Sequence, residues 1–138
     1  MKNNSTLQTI LLVEDDAIIS MSTELFLKEC NFSVVSAYNG EEALDYFTNE
    51  NEIDLVLMDI DLGEGMDGIK AAGLIYRKRN LPIIFHTSHC LEELLEKASI
   101  TYPFEYFHKS DSKSRLFDLI SNSLQALISD PDIINILG

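Results

Sequence analysis

The chain has 138 residues, 46% of them hydrophobic, enough to bury one core and too few for two ordinary domains. Ten basic residues against 23 acidic ones leave a formal charge of −13, which repels nucleic acid and anionic membranes and argues against direct DNA binding by this chain. No apolar run reaches the length of a bilayer span, and the start MKNNSTLQT lacks the basic and apolar regions of a secretory leader.

A cytoplasmic protein is therefore expected, and Cys30 and Cys90, which follow no metal or redox spacing, should stay as thiols there. One domain over 1–138 is expected, with its core in about 8–128 and the last residues, 129–138, as a tail or a helix extension.

Apolar runs alternate with helix-like segments. QTILLV (8–13) reads as a buried strand, and Asp16 is placed to cap a helix over 16–29. FSVVSAY (32–38) is a second strand, and Asn39-Gly40 forms a turn before a helix over 41–48. IDLVLM (53–58) is the third strand, followed by a glycine-rich loop and a helix over 68–79, with Asp67 at its start. PIIFHT (82–87) is the fourth, with a helix over 91–99. FEYFH (104–108) is the fifth, and 113–129 carries apolar residues at Leu116, Leu119, Ile120, Leu124, Leu127 and Ile128, the pattern of an amphipathic closing helix. Five strand–helix units with near-continuous apolar strands imply an α/β fold with a parallel sheet covered on both faces. Right-handed crossovers then put every strand's C-terminal end on one edge, where ligands of such sheets bind.

That edge collects Glu14, Asp15 and Asp16 after the first strand, and Asp59 and Asp61 after the third. It also takes Thr87, Ser88 and His89 after the fourth and Lys109 after the fifth. Carboxylates gathered this closely raise one another's pKa, and a hard divalent cation relieves the repulsion. Mg²⁺ with oxygen ligands suits this donor set better than a metal that prefers His or Cys. Lys109 can then neutralise a phosphoryl oxygen and Thr87 donate to one, so the parts suit phosphoryl transfer onto a carboxylate. Gly63, Gly65 and Gly68 also match Gly-x-Gly-x-x-Gly, but behind the third strand, beside two acids and without an acid about 20 residues on to hold a ribose. They read as a loop whose glycines permit positive φ.

In ILLVEDD, LVLMDIDL, MDGIKAA, LPIIFHTS and YFHK, each at a strand end and in this order, the chain resembles the receiver domain of two-component response regulators over roughly residues 8–128. The resemblance implies a flavodoxin-like (βα)5 three-layer sandwich, sheet order 2-1-3-4-5, and a switch that is not an enzyme. Phosphate would pass, with Mg²⁺, from a sensor histidine kinase or histidine phosphotransfer protein to Asp59. Glu14 and Asp15 match the acidic pair, Asp15 and Asp59 touching the metal, Glu14 acting through water and the backbone carbonyl of Asp61 completing the protein ligands. Thr87 matches the switch hydroxyl, Tyr106 the rotating aromatic and Lys109 the phosphate-binding lysine; Asp16 is a cap rather than a ligand. The signal would go to an output domain or a downstream protein. The rivals are a pseudo-receiver that binds partners without phosphorylation and, against the motif order, an Asp-nucleophile phosphatase of the haloacid-dehalogenase kind.

The sequence departs from the receiver pattern in three places. The loop Gly63-Glu64-Gly65 lacks the usual proline and is one residue longer. Lys109 precedes Ser110 rather than proline, leaving either a strained cis bond or a trans one with a different approach of the lysine. His86 stands where an aliphatic residue is usual and reads as a neutral, hydrogen-bonded interior histidine. Asp61 and His89, each two residues beyond a key position, are expected to govern water's access to the phosphate. On the first helix Ile18, Met21 and Leu25 share one face and Ile19 and Phe26 another; one should face the sheet, while the other docks a histidine-bearing helix or widens the core stripe.

Overall fold

The computed structural model describes residues 7–48, 52–62, 66–97 and 100–129. Its elements run β1 (Thr9–Val13), α1 (Ala17–Glu29), β2 (Ser33–Ala37), α2 (Gly40–Asp45), β3 (Leu55–Asp59), α3 (Gly68–Lys78), β4 (Ile83–Thr87), α4 (Leu91–Lys97), β5 (Glu105–His108) and α5 (Lys113–Ser129). All neighbouring strands pair in parallel, in the order β2-β1-β3-β4-β5. Burial follows that order: β3 and β4 are buried at every residue, whereas the edge strands β2 and β5 are buried at one residue each.

Two apolar clusters sandwich the sheet. On one face, Leu11, Val13, Val56 and Met58 pack with Ala71, Ala72 and Ile75 of α3. On the other, Ile10, Leu12, Leu57 and Ile84 pack with Leu27 of α1 and with Leu116, Ile120 and Leu124 of α5. Burying each of these aliphatic side chains contributes about 1.5–3 kcal/mol, which is how the helical period of α5 holds it to the sheet.

Helix starts follow the short polar side chains. Asp16 accepts from the N–H groups of Ile18 and Ile19 at 2.9 and 3.0 Å, and Asn39 and Asp67 cap α2 and α3 in the same way. Asn39-Gly40 is thus a helix cap, and α2 begins at Gly40, ending earlier than its apolar pattern suggests. At the other end of α1, Asn31 takes φ 67°, a conformation asparagine tolerates, and lets Phe32 N–H return to the Leu27 carbonyl.

The orientation of α1 corrects the expectation that one of its two apolar faces turns squarely to the sheet. Ser20, Thr23 and Leu27 face the sheet, Ile19 and Phe26 lie half-buried at its side, and Ile18, Met21 and Leu25 are 80%, 64% and 56% exposed. The Gly63–Gly65 loop and the segment after Ser129 lie outside the described residues. Among the described residues no helix is long and apolar enough to cross a membrane.

Candidate functional site

Glu14 directly follows β1 and Asp59 ends β3, so the pairing of those neighbours brings the two carboxylates side by side. Both are 1% exposed, while Asp15 points to the surface. One oxygen from each of Glu14, Asp15 and Asp59 falls within 4.8 Å of the others. Lys109, just beyond β5, reaches in until its Nζ stands 3.3 Å from Glu14 Oε1 and 3.4 Å from Asp59 Oδ2. Backbone N–H groups take other oxygens: Asp61 donates to Asp59 Oδ1 at 3.1 Å and Asp16 to Glu14 Oε2 at 3.2 Å.

Burial is the largest influence on Asp59, and the adjoining Glu14 adds to it by hydrogen bond and by charge. Lys109 and the Asp61 N–H pull the other way without prevailing, and the pKa is pushed up to about 8. Burial opposes the charge on Lys109, yet the Asp59 and Glu14 carboxylates outweigh it and hold its pKa above the ordinary lysine value. One ammonium thus serves two buried acids.

Glu14 Oε1, although within ion-pair distance of Lys109, is buried with no aligned hydrogen bond. An all-oxygen donor set with one such atom fits a hard divalent cation. The described residues therefore hold a cluster compatible with a divalent metal.

The rim is built from the next two strand ends. Thr87 is fully buried, and its Oγ1 accepts the His89 N–H at 3.0 Å. Tyr106 donates its hydroxyl to the His89 carbonyl. The Lys109–Ser110 bond is trans, there being no cis peptide among the described residues. Hydrogen bonds aim the lysine instead: its N–H bonds the Thr87 carbonyl at 2.8 Å, His108 N–H bonds Asp111, and the His108 ring lies between Ser88 O and Ser110 Oγ.

His86 is buried, and burial together with the charges of Lys109 and His108 lowers its pKa to about 4, so it is neutral near pH 7. Its ring stacks obliquely on Phe107 at 5.1 Å and lines a cavity beside α1, with no protein hydrogen-bond partner among the described residues. A residue the sequence reading passed over, Glu93 in the first turn of α4, meets the His89 ring at 2.9 Å. Its i,i+4 spacing from His89 is the signal that would have exposed it. A cavity of about 580 Å³ lies elsewhere, beneath the opposite sheet edge at Leu81, Pro82, Pro103 and Phe104, away from every one of these groups.

A parallel five-stranded sheet in this order, with acids and a lysine at its C-terminal edge, defines a flavodoxin-like domain. The chain belongs to the response regulator receiver domain family, whose model matches residues 10–121. It is 34% identical over 112 residues to the transcriptional regulatory protein PdtaR of Mycobacterium tuberculosis, an alignment covering 80% of this chain and 54% of that one. The chain thus spans about half the length of that relative.

Among solved structures, the N-terminal domain of a response regulator/sensory box/GGDEF three-domain protein from Carboxydothermus hydrogenoformans superposes with a TM-score of 0.77 at 30% identity, covering 89% of this chain and 98% of that one. A CheY-like receiver domain protein from Methanospirillum hungatei gives 0.79 at 26% identity, covering 91% and 99%. The chain is a receiver domain of the response regulator kind, consistent with two-component signalling.

Proposed function

We propose that this receiver takes a phosphoryl group from a partner phosphohistidine onto Asp59 and changes shape in response. The observation that carries the reading is the buried Asp59 carboxylate, flanked by Glu14 and Asp15 and faced by Lys109. Asp15 and Asp59 would hold Mg²⁺ directly, Glu14 through water, and the Asp61 carbonyl would complete the set. Mg²⁺ bound there supplies the positive charge that keeps Asp59 ionised and lets an anionic phosphoryl group approach it.

An Asp59 oxygen bonds to phosphorus as the phosphorus–nitrogen bond to the donor histidine breaks, and the electron pair leaves with the imidazole. Lys109 neutralises a phosphoryl oxygen. Thr87 uses its hydroxyl oxygen to accept from His89, so its own O–H remains to donate to the phosphoryl group. An inward move of Thr87 favours a matching move of Tyr106, which shares His89 with it, and so reshapes the α4–β5–α5 face. The signal then passes to an output domain or a downstream protein, in the cytoplasm and without direct nucleic-acid contact by this strongly acidic chain. The reaction is a switch rather than a turnover cycle.

Incubation with acetyl phosphate and Mg²⁺, read by intact mass, tests the acceptor. The parent should gain one phosphate and Asp59→Asn none; no gain, or equal gain in both, would sink the reading and leave a binding module.

The kinase or phosphotransfer partner is read onto α1. Ile18, Met21 and Leu25 are exposed there, and Ile18 lines a cavity of about 290 Å³ together with Ile19, Phe26, His86, Phe107 and Lys109, so an apolar helix can dock beside the acceptor's lysine. Ile18→Asp with Met21→Asp should slow transfer from the cognate phosphohistidine protein about tenfold or more, as loss of a central apolar anchor does. Uptake from acetyl phosphate should be unchanged. Equal slowing of both would place the defect in the site rather than the surface.

A further inference from the structure

His86 is a buried polar side chain that takes no part in the acceptor site. It is 6% exposed, and its ring lines the cavity of about 290 Å³ between α1 and α5 with no protein hydrogen-bond partner among the described residues. Burial, then the charges of Lys109 and His108, keep it neutral near pH 7, so it offers one N–H donor and one lone pair to whatever fills that space. We propose that this cavity binds a small carboxylate carried on a single aromatic ring, with Lys113 at the rim and His86 at the floor as its polar contacts.

Charge selects an anion. Among the charged groups lining the cavity, Asp111 is held by the Arg115 guanidinium at 3.3 Å and by the His108 N–H at 3.1 Å. Lys109 is held by Asp59 and Glu14. Lys113 keeps an uncompensated charge: its Nζ lies 2.9 Å from Ser22 Oγ and 5.6 Å from the centre of the Phe26 ring, and it meets no carboxylate among the described residues. It also opens α5, where the helix dipole already places positive charge, so an anion at that rim relieves both.

Shape selects the body of the ligand. The rings of Phe26 and Phe107 and the side chains of Ile19 and Leu116 make the walls apolar. A cavity of roughly 150 Å³ is enough for benzene, so about 290 Å³ has room for one ring with a short acidic arm. Thr23, Phe107 and Leu116 are buried, and a buried floor suits a free molecule, whereas a helix laid along Ile18, Met21 and Leu25 stays on the exposed side of α1.

Ile18 and Lys109 line the cavity as well, so its occupant would meet both the partner-docking stripe and the stem of the acceptor's lysine. The cavity then gives the receiver a chemical input alongside phosphorylation. Binding itself involves no phosphoryl chemistry and stands apart from the acceptor reading of Asp59.

The test titrates phenylacetate, and separately benzoate, into the unmodified protein and follows the ring signals of His86 and Phe107 by NMR. Both rings should respond saturably to phenylacetate. Phenylacetamide, its uncharged isostere, should bind about five to ten times more weakly, the difference between a charge-assisted and a neutral hydrogen bond. Lys113 is exposed, so Lys113→Gln keeps the fold; it should weaken phenylacetate by a similar factor and leave phenylacetamide unchanged. His86→Leu, followed through Phe107, should weaken both, because acid and amide share that donor.

No saturable response to either acid overturns the proposal, as does equal affinity for acid and amide, or binding that Lys113→Gln and His86→Leu both leave unchanged. A response to the cognate phosphohistidine protein and to neither acid would assign the cavity to that partner and overturn it likewise. Failure of the acetyl phosphate assay would remove the acceptor reading and leave these binding results standing.

Discussion

Gly68→Ala is expected to cost several kcal/mol of stability and to abolish phosphate uptake, although Gly68 touches no ligand and heads an ordinary helix. A Cβ built on Gly68 would stand 2.1 Å from the Asp59 carbonyl oxygen and 2.9 Å from both the Asp59 carbonyl carbon and the Ile60 Cα. Every one of those atoms is backbone, so no side-chain rotation relieves the clash. Either α3 withdraws from β3, opening the packing of Ala71, Ala72 and Ile75 on the sheet, or the end of β3 moves and carries Asp59 with it. Overpacking of this kind costs about 1–3 kcal/mol where side chains can yield, and more where only backbone can. Denaturant unfolding and the acetyl phosphate mass assay, run together on the variant, check both halves. A stable variant that still gains phosphate would show that α3 can retreat without disturbing the acceptor. The same residue supplied the last glycine of a dinucleotide-like spacing, and its service is close packing of helix on strand.

Without divalent cations, the protein should lose stability as pH rises from about 5 to 8.5, and Asp59→Asn should not. The unfolded carboxyl titrates near 3.9, whereas burial and Glu14 push the folded one up to about 8. For a group raised in the folded state, the stabilising contribution is complete below the unfolded value and is lost as pH climbs through the folded one. Between pH 5.5 and 8.5 the parent should lose on the order of 3 kcal/mol relative to the variant, from 1.36 kcal/mol per pKa unit. An amide resembles the protonated acid in shape and charge and has no such dependence. Urea titrations at the two pH values measure the difference, and parallel stabilities would mean that Asp59 ionises without penalty. Adding Mg²⁺ at pH 8.5 should restore the parent and leave the variant little changed, because only the parent then presents two buried carboxylates to the ion.

Much of the architecture could be read along the chain because local signals and packing agree. β1, β3 and β4 appear as apolar runs since both faces of a central parallel strand are covered, and α5 appears through its apolar positions at Leu116, Ile120 and Leu124. Asp16 and Asp67 announce their helices because an N-cap needs only its own next turn. Asn39 was harder: the turn signal and the cap signal use the same side chain, and only the bond to Glu42 N–H separates them.

The candidate site was legible to a different depth for each residue. Glu14, Asp15, Asp59, Thr87 and Lys109 stand at strand ends, and a parallel sheet must bring such ends to one edge. His86 was legible as a neutral interior histidine, but that its ring stacks on Phe107 and lines the cavity beside α1 depends on neighbours remote in the chain. Glu93 was overlooked because it sits on a helix that carries no motif.

The amino-acid order by itself determined the unit rhythm, the parallel sheet, and which acids and which lysine reach its C-terminal edge, since propensity, capping and burial period act over a few residues. Tertiary structure alone decided three things. It turned α1 so that Ile18, Met21 and Leu25 face outward, aimed Lys109 through a trans loop braced by His108 and Asp111, and joined Asp61, His89 and Glu93 across the site. Each depends on how residues far apart in the chain share one space, where rigid-body packing and competition for hydrogen-bond partners choose among arrangements that local signals leave equal.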